Sequence, residues 1–473
     1  MPQDNYFNSK KFKSLLREFE KAQREGVPFL VSVGDYTDIA AYYADHGSFD
    51  EAGHVVDIAQ SLYPDSSEPR IMKARLAMME NNDTKEARRL LDKVIDHSEP
   101  EYVYTMADIL LMENDAGGAD KYLRGALDDI DDEEERDDFI MDVVEIFLDH
   151  DMPQRAEKWL VRCDDTQSAD YKELKGRLLL ELGEYAECED IMNGLIDDAP
   201  FSGDYWNTLA SAQFMRGNIK ESITSSEYSI AIDPNDPDAL NNRANGMSVL
   251  GNFGEAAKCY KRIVEIYPED ALNHYMLALC RLHTKEIETA EETLAIADAK
   301  PAPNKQRLQP ILMDIGLAYG KNGSIDKALS YIDRAEKLCK APPGEMNVAR
   351  GQIYLDNGMT DKAREWFARA VNEEGATTYT MMRIMMSMYD NGYIDMAYNI
   401  LQLLVGANDR EVEQFVYAYL AACCYDLGKK REFISNLRKA VRINADTAVA
   451  VLCGIFPEDA KPEDYVRLAK DML

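Results

Sequence analysis

The stretch NNRANGMSVLGNFGEAAKCYKRIVEIYPED, Asn241–Asp270, decides the fold. It carries Gly251 after Leu250, a small pair at Ala256 and Ala257, an aromatic at Tyr260 and a proline at Pro268. These features recur at a fixed step. Gly183, Gly217 and Gly251 are 34 residues apart, as are Pro200, Pro234 and Pro268; Gly358 and Gly392 repeat the same step. A period of this length marks a chain built from stacked helix pairs.

A 34-residue unit numbered from Pro237 puts Ala244 at position 8, Gly251 at 15, Ala256 at 20, Tyr260 at 24 and Pro268 at 32. Twelve units follow in this register. Position 8 is Ala or Gly in ten of them, the exceptions being Val144 and Met385. Position 20 runs from Ala52 to Phe433 and is mostly Ala. Position 15 is Gly in eight units, Asn82, Asn114 or Asp151 in three, and Lys285 in one. Small residues at 8 and 20 let two helices approach. Large residues at 24, such as Tyr260 and Phe367, are expected to plug the gap to the next unit. Gly at 15 ends the first helix in a left-handed conformation, which Asn and Asp tolerate better than other side chains. Pro at 32 stops the second helix.

One unit, YWNTLASAQFMRGNIKESITSSEYSIAIDP, shows Trp206, Leu209, Ala210, Gly217 and Pro234 at the marked positions of the tetratricopeptide repeat family. It departs at Ser222 and Ser226, where Ala and an aromatic are usual. The resemblance covers about residues 33–447. It implies an all-α, right-handed superhelical solenoid of about twelve helix pairs. It also implies that proteins or peptides bind on the inner surface.

Register slips divide the array into units 33–133, 137–304 and 309–447. About three extra residues fall in or near DDIDDEEERDD (128–138), and four in or near KPAPNKQRLQP (300–310), where three prolines are expected to break helices. Residues 5–32 read as an N-terminal capping helix with Phe12, Leu15, Leu16 and Phe19 on one stripe. Residues 448–473 read as two short closing helices, the second opened by Pro462 and Glu463. Such caps cover apolar surface that a neighbouring unit would otherwise bury.

The totals constrain partners. The 473 residues carry a formal net charge of −33. That charge argues against nucleic acid and anionic membrane surfaces, because phosphates are repelled. No run is long and apolar enough to span a membrane, and no signal peptide is expected. The eight cysteines include no Cys-x-x-Cys and read as buried thiols of a cytoplasmic protein. No nucleotide-binding, nucleophile-elbow or zinc signature occurs, so neither catalysis nor a cofactor is expected. Cys280 and His283 are the nearest thing to a ligand pair, and two residues make an incomplete site. The acidic run 128–138 reads as solvated, with a basic partner or weak cation binding as alternatives. The cluster Lys429, Lys430, Arg431, Arg438, Lys439 and Arg442 reads as a solvated face, with an acidic partner or another copy as alternatives.

The inner face holds the candidate contacts. Asn207, Asn241, Asn242 and Asn245 lie on it in the middle of the array, and amides suit a peptide backbone because they donate and accept. Asn242 matches the middle Asn of the family's C-terminal-carboxylate clamp. Asn207 and Ser211, then Leu272 and Met276, do not supply the flanking basic residues, so that clamp is not reproduced. Further along, Tyr275, Leu279, Met313, Met382, Met386 and Tyr389 offer either an adaptable apolar groove or a surface covered by the chain's own curvature and caps. The leading expectation is a non-enzymatic scaffold binding an unidentified protein or peptide. A peptide-gated sensor and a self-assembling structural protein, with a homo-oligomer possible, are the alternatives.

Overall fold

The computed structural model describes residues 6–7, 9–301, 304–405, 410–457 and 460–472. Among the described residues there are 27 α-helices, one 3-10 turn at Pro462–Asp464 and no strand. The chain forms two compact units, Met1–Asp198 and Ala199–Leu473.

In the first unit, α1 (Lys10–Glu25) precedes five helix pairs: α2 (Val33–Asp45) with α3 (Phe49–Leu62), α4 (Glu68–Asn81) with α5 (Thr84–Leu91), α6 (Pro100–Met112) with α7 (Ala116–Asp128), α8 (Glu133–Asp149) with α9 (Pro153–Leu160), and α10 (Ala169–Leu182) with α11 (Tyr185–Asp198). The first helices of successive pairs lie side by side. Phe12 and Phe19 of α1 are buried against Tyr36, Ile39 and Val55, so α1 is the cap its stripe suggests.

The second unit has seven pairs: α12 (Gly203–Met215) with α13 (Ile219–Ile232), α14 (Pro237–Val249) with α15 (Phe253–Ile266), α16 (Ala271–His283) with α17 (Ile287–Asp298), α18 (Lys305–Lys321) with α19 (Ile325–Leu338), α20 (Glu345–Asp356) with α21 (Thr360–Asn372), α22 (Thr378–Asp390) with α23 (Ile394–Leu404), and α24 (Arg410–Asp426) with α25 (Lys430–Ile443). Two closing helices follow, α26 (Ala445–Leu452) and α27 (Tyr465–Met472). Leu452, Phe456, Tyr465 and Ala469 pack on Phe433 and Leu437, sealing the last pair. The all-α class and the twelve pairs with capping helices agree with the repeat register.

The register also explains the packing. All twelve residues at position 20 are at most 1 % exposed. At position 8, a Cβ on Gly351 would meet the Phe367 ring at 2.4 Å, and one on Gly176 would meet the Met192 methyl at 1.9 Å. Position 24 therefore lies on position 8 of its own unit, a closer contact than the gap-filling role expected from spacing. Every position-15 residue has positive φ, from Gly47 to Gly428, including Asn82, Asn114, Asp151 and Lys285. The helix end fixes that conformation whatever residue occupies it.

The structure gives the added residues their form and corrects the reading of Pro310 as a helix breaker. The residues added near 128–138 and 300–310 do not all form connecting loop. They lengthen the first helix that follows: α8 and α18 have 17 residues, against 12–14 in every other first helix except α24. Pro310 does not break a helix but lies inside α18. At the sixth helical residue it forfeits one bond, to the Gln306 carbonyl, a loss the long helix absorbs. Pro303 lies outside the described residues.

The serines of the sixth pair form a polar core. Ser222, fully buried, donates to the Ala210 carbonyl at 2.7 Å, and Ser226 donates to the Ser222 carbonyl at 2.8 Å. Each hydroxyl is satisfied, so burial is tolerated where Ala and an aromatic are usual.

Candidate peptide-binding face

Positions 2, 5, 6 and 9 of a first helix share one side, by helical spacing. In the first unit this side is acidic. Asp38, Glu68, Glu101, Asp138, Asp142 and Glu145 follow one another from α2 to α8. Residues 1–198 hold 48 Asp and Glu against 22 Lys and Arg, so this unit carries 26 of the 33 net negative charges. The carboxylates act on one another. Burial, then the charges of Glu101, Glu99 and Asp38, push the Glu68 carboxyl above its ordinary value. Partial desolvation, then Glu145 and Asp138, push Asp142 up, while the Tyr104 hydroxyl pulls it down.

The elements set these side chains in place. Asp132 caps α8 by accepting from the Glu134 and Glu135 amides, at 3.0 and 3.1 Å. Glu133, Glu134 and Glu135 then sit in the first turn, where the helix dipole favours negative charge. Asp137 accepts from the Asp164 and Asp165 amides, tying α8 to the loop before α10. Arg136 donates to the Leu127 and Ile130 carbonyls, so the run's one cation is spent on the end of α7. Much of the acidic run is thus structural. Glu135 and Asp138 instead face an open cavity of about 1330 Å³ between α6, α7 and α8. Tyr104 sits on its wall, its ring 5.4 Å from Phe139 and its hydroxyl donating to Asp142 at 2.7 Å. The 34-residue period does not single out Tyr104, Asp138 or Asp142. The signal was present as repeated acids at positions 2, 6 and 9 of the early units.

In the second unit, the amide candidates lie on α12 and α14. Asn207 is 9 % exposed and donates to Asp236 at 2.6 Å. Asn242 donates to the Asn207 carbonyl and accepts from Ser211, both at 3.3 Å. Asn245 accepts from the Tyr260 hydroxyl at 2.7 Å. Asn241 is half-buried and makes no side-chain hydrogen bond among the described residues. Asn207 and Asn242 therefore form one network, with Asn245 and Asn241 outside it. The apolar candidates divide. Tyr275, Leu279 and Met313 belong to one buried core and Met382 to another. Met386 and Tyr389 are half-buried, and the Tyr389 hydroxyl donates to Asp426 at 3.0 Å.

Position 14 carries contacts between neighbouring first helices. Asn357 donates both to the Ile353 carbonyl of its own helix and to the Gly320 carbonyl of the preceding pair, at 2.7 and 2.9 Å. Asn322 repeats the arrangement. His150, at the same position, meets Asp108 at 3.1 Å. These side chains staple one first helix to the next.

Among the described residues, no group of three or more His, Cys, Asp or Glu is placed to hold a metal ion. Cys280 is buried, with its thiol pushed up to about 12, and His283 stacks on Phe253 at 3.9 Å. Six cysteines are buried thiols, Cys339 is half-buried and Cys453 exposed. No helix among the described residues is long and apolar enough to cross a membrane.

Comparison with known proteins agrees with the repeat. A tetratricopeptide repeat family model matches residues 248–304 and 313–377. A TPR repeat-containing protein of Rhizobium etli is 31 % identical over 81 residues, covering 17 % of this chain and 40 % of that protein. The chain therefore spans less than half the length of that relative. Two solved structures are similar. The APC/C hetero-tetramer Cut9–Hcn1 is 16 % identical, with 99 % of this chain and 95 % of that chain covered and a TM-score of 0.44. A tetratricopeptide repeat protein from Parabacteroides merdae is 15 % identical, with 53 % and 98 % covered and a TM-score of 0.41. Residues 248–304 and 313–377 are thus tetratricopeptide repeats, and the other helix pairs resemble that family by sharing their register.

Proposed function

We propose that the chain is a non-catalytic scaffold that receives a segment of another protein on the first-helix faces of its pairs. One observation carries this reading. Among the described residues, Asp138 and Asp142 on the first-helix face of the first unit have no ion pair, and they stand beside an open, aromatic-walled cavity, while Glu145 is bridged to Arg177. Fold stability gives no reason for that arrangement, since the charges repel. In the second unit, Asn241, Asn242 and Asn245 are the polar contacts proposed for the same segment or a second one, with Met386 and Tyr389 as half-buried apolar contacts.

The test is affinity capture from the native cell with the full chain and two variants. One variant carries Asn241→Ala, Asn242→Ala and Asn245→Ala; the other carries Asp138→Asn and Asp142→Asn. Partners lost from either variant, with circular dichroism unchanged, support the reading. A partner set identical for all three proteins would refute it.

A further inference from the structure

The cavity between α6, α7 and α8 has two unlike walls. Tyr102, Val103, Met106 and Leu110 of α6, with Tyr122 and Ala126 of α7, make one apolar wall. Glu135, Asp138 and Asp142 line the other, along α8. None of these three carboxylates has an ion-pair partner among the described residues. The nearby cations are mostly engaged. Arg88 is held by both carboxylate oxygens of Glu113, at 3.1 and 2.6 Å, and Arg136 by backbone carbonyls. Lys121, exposed on α7, has no ion pair among the described residues and stands on the apolar side. A trough with one greasy wall and one anionic wall is complementary to a segment with one apolar and one basic edge.

We propose that this trough binds a basic amphipathic segment of a partner protein, its Lys or Arg side chains along α8 and its apolar side chains against α6 and α7. Aromatic walls suit such an occupant, because aliphatic Lys and Arg stems pack on rings while their heads reach carboxylates. The proposal rests on the scaffold reading above and names the chemistry of one partner segment. An acidic segment is disfavoured by charge, and a purely apolar one would leave three carboxylates facing it.

The wall offers a test that removes no charge. Gly125 of α7 lines the cavity, and a Cβ there meets nothing within 4 Å. Gly125→Leu therefore projects bulk into the trough while favouring α7, since Leu is the better helix former. The probes are fluorescein-labelled Lys–Leu and Glu–Leu amphipathic peptides of equal length and pattern, titrated by anisotropy against the full chain. The expected result is binding of the Lys–Leu peptide only. Gly125→Leu should weaken it at least about tenfold, and Asp138→Asn with Asp142→Asn should weaken it similarly and flatten its salt dependence. Lys–Leu binding that Gly125→Leu leaves intact would mean diffuse charge attraction and overturn the trough assignment. No Lys–Leu binding would also overturn it. In either case, a partner captured through the asparagines would leave the scaffold reading standing. Self-association abolished by Gly125→Leu would place a second copy in the trough, with basic α25 as its natural contact, and would overturn assignment to a separate partner.

Discussion

At the scale of single residues, the repeat is a set of fitted pairs. Gly351 and Gly176 hold the same position and differ in what they face. A methyl on Gly351 would meet three Phe367 ring atoms between 2.4 and 3.1 Å, and a ring cannot fold away. A methyl on Gly176 would meet chiefly the terminal carbon of Met192, a side chain with several rotatable bonds. Ala in a helix gains about 1 kcal/mol over Gly, and overpacking costs about 1–3 kcal/mol. Gly351→Ala is therefore predicted to destabilise its unit by about 1 kcal/mol net, and Gly176→Ala to be near neutral. Hydrogen exchange of α20–α21 and of α10–α11 in the full chain checks this; equal losses would show that neighbour stiffness does not decide the cost. The small residues were legible from spacing. Their partners were not, because a period does not say whether position 24 reaches back or forward. Ser222 and Ser226 were visible as departures, but only the fold shows which carbonyls satisfy them.

At the scale of helices, period reading located the added residues but not their form. A slip of three or four residues looks like loop in sequence, and Pro310 strengthens that impression. Adding residues to the first helix instead brings each new backbone group a hydrogen-bond partner, which a loop does not supply. The acidic face was similarly half legible. Each acid was visible, but whether it caps, ties a loop or meets another acid depends on neighbours both near and far along the chain. Glu68 of α4 shows the consequence, facing Asp38 of α2, Glu101 of α6 and Glu99 just before α6. Its carboxyl is raised above the ordinary 4.5 by burial and these charges. The folded state thus holds the proton more tightly than the unfolded one. That contribution to stability is full below the ordinary value and is lost as pH rises through the raised value. Glu68→Gln should stabilise α2–α6 at neutral pH by a few tenths to about 1 kcal/mol, allowing for solvent screening and for the first-turn charge it gives up. It should also reduce the gain in protection that the wild type shows on mild acidification. Hydrogen exchange at pH 5 and pH 7 measures both; an unchanged pH slope in the variant would show that Glu68 is not a source of the strain.

At the scale of the whole molecule, the two units differ in charge far more than in architecture. Both repeat the same helix pair, with the same small residues at positions 8 and 20. Yet residues 1–198 carry 26 net negative charges and the longer remainder carries 7. The totals were readable at once, but a chain-wide −33 argued only against nucleic acid and anionic membrane surfaces. The division into units turns it into a local quantity, concentrated on one unit, with part of it along one face of its first helices. Like charges on one surface oppose compaction, and salt relieves that opposition because the screening length falls to about 10 Å at 0.1 M. Raising sodium chloride from low concentration to about 0.5 M should therefore slow hydrogen exchange more in α2–α11 than in α12–α25, where the charge is small and mixed. The comparison is internal to one sample, so general salt effects on exchange chemistry cancel. Equal slowing in both units would mean that the carboxylates are far enough apart, or already well enough screened, to cost the first unit nothing. The acidic face would then no longer count as a strained surface awaiting a cationic partner. Slowing confined to α2–α8 would locate the repulsion on the pairs around the trough, where a basic segment would relieve it.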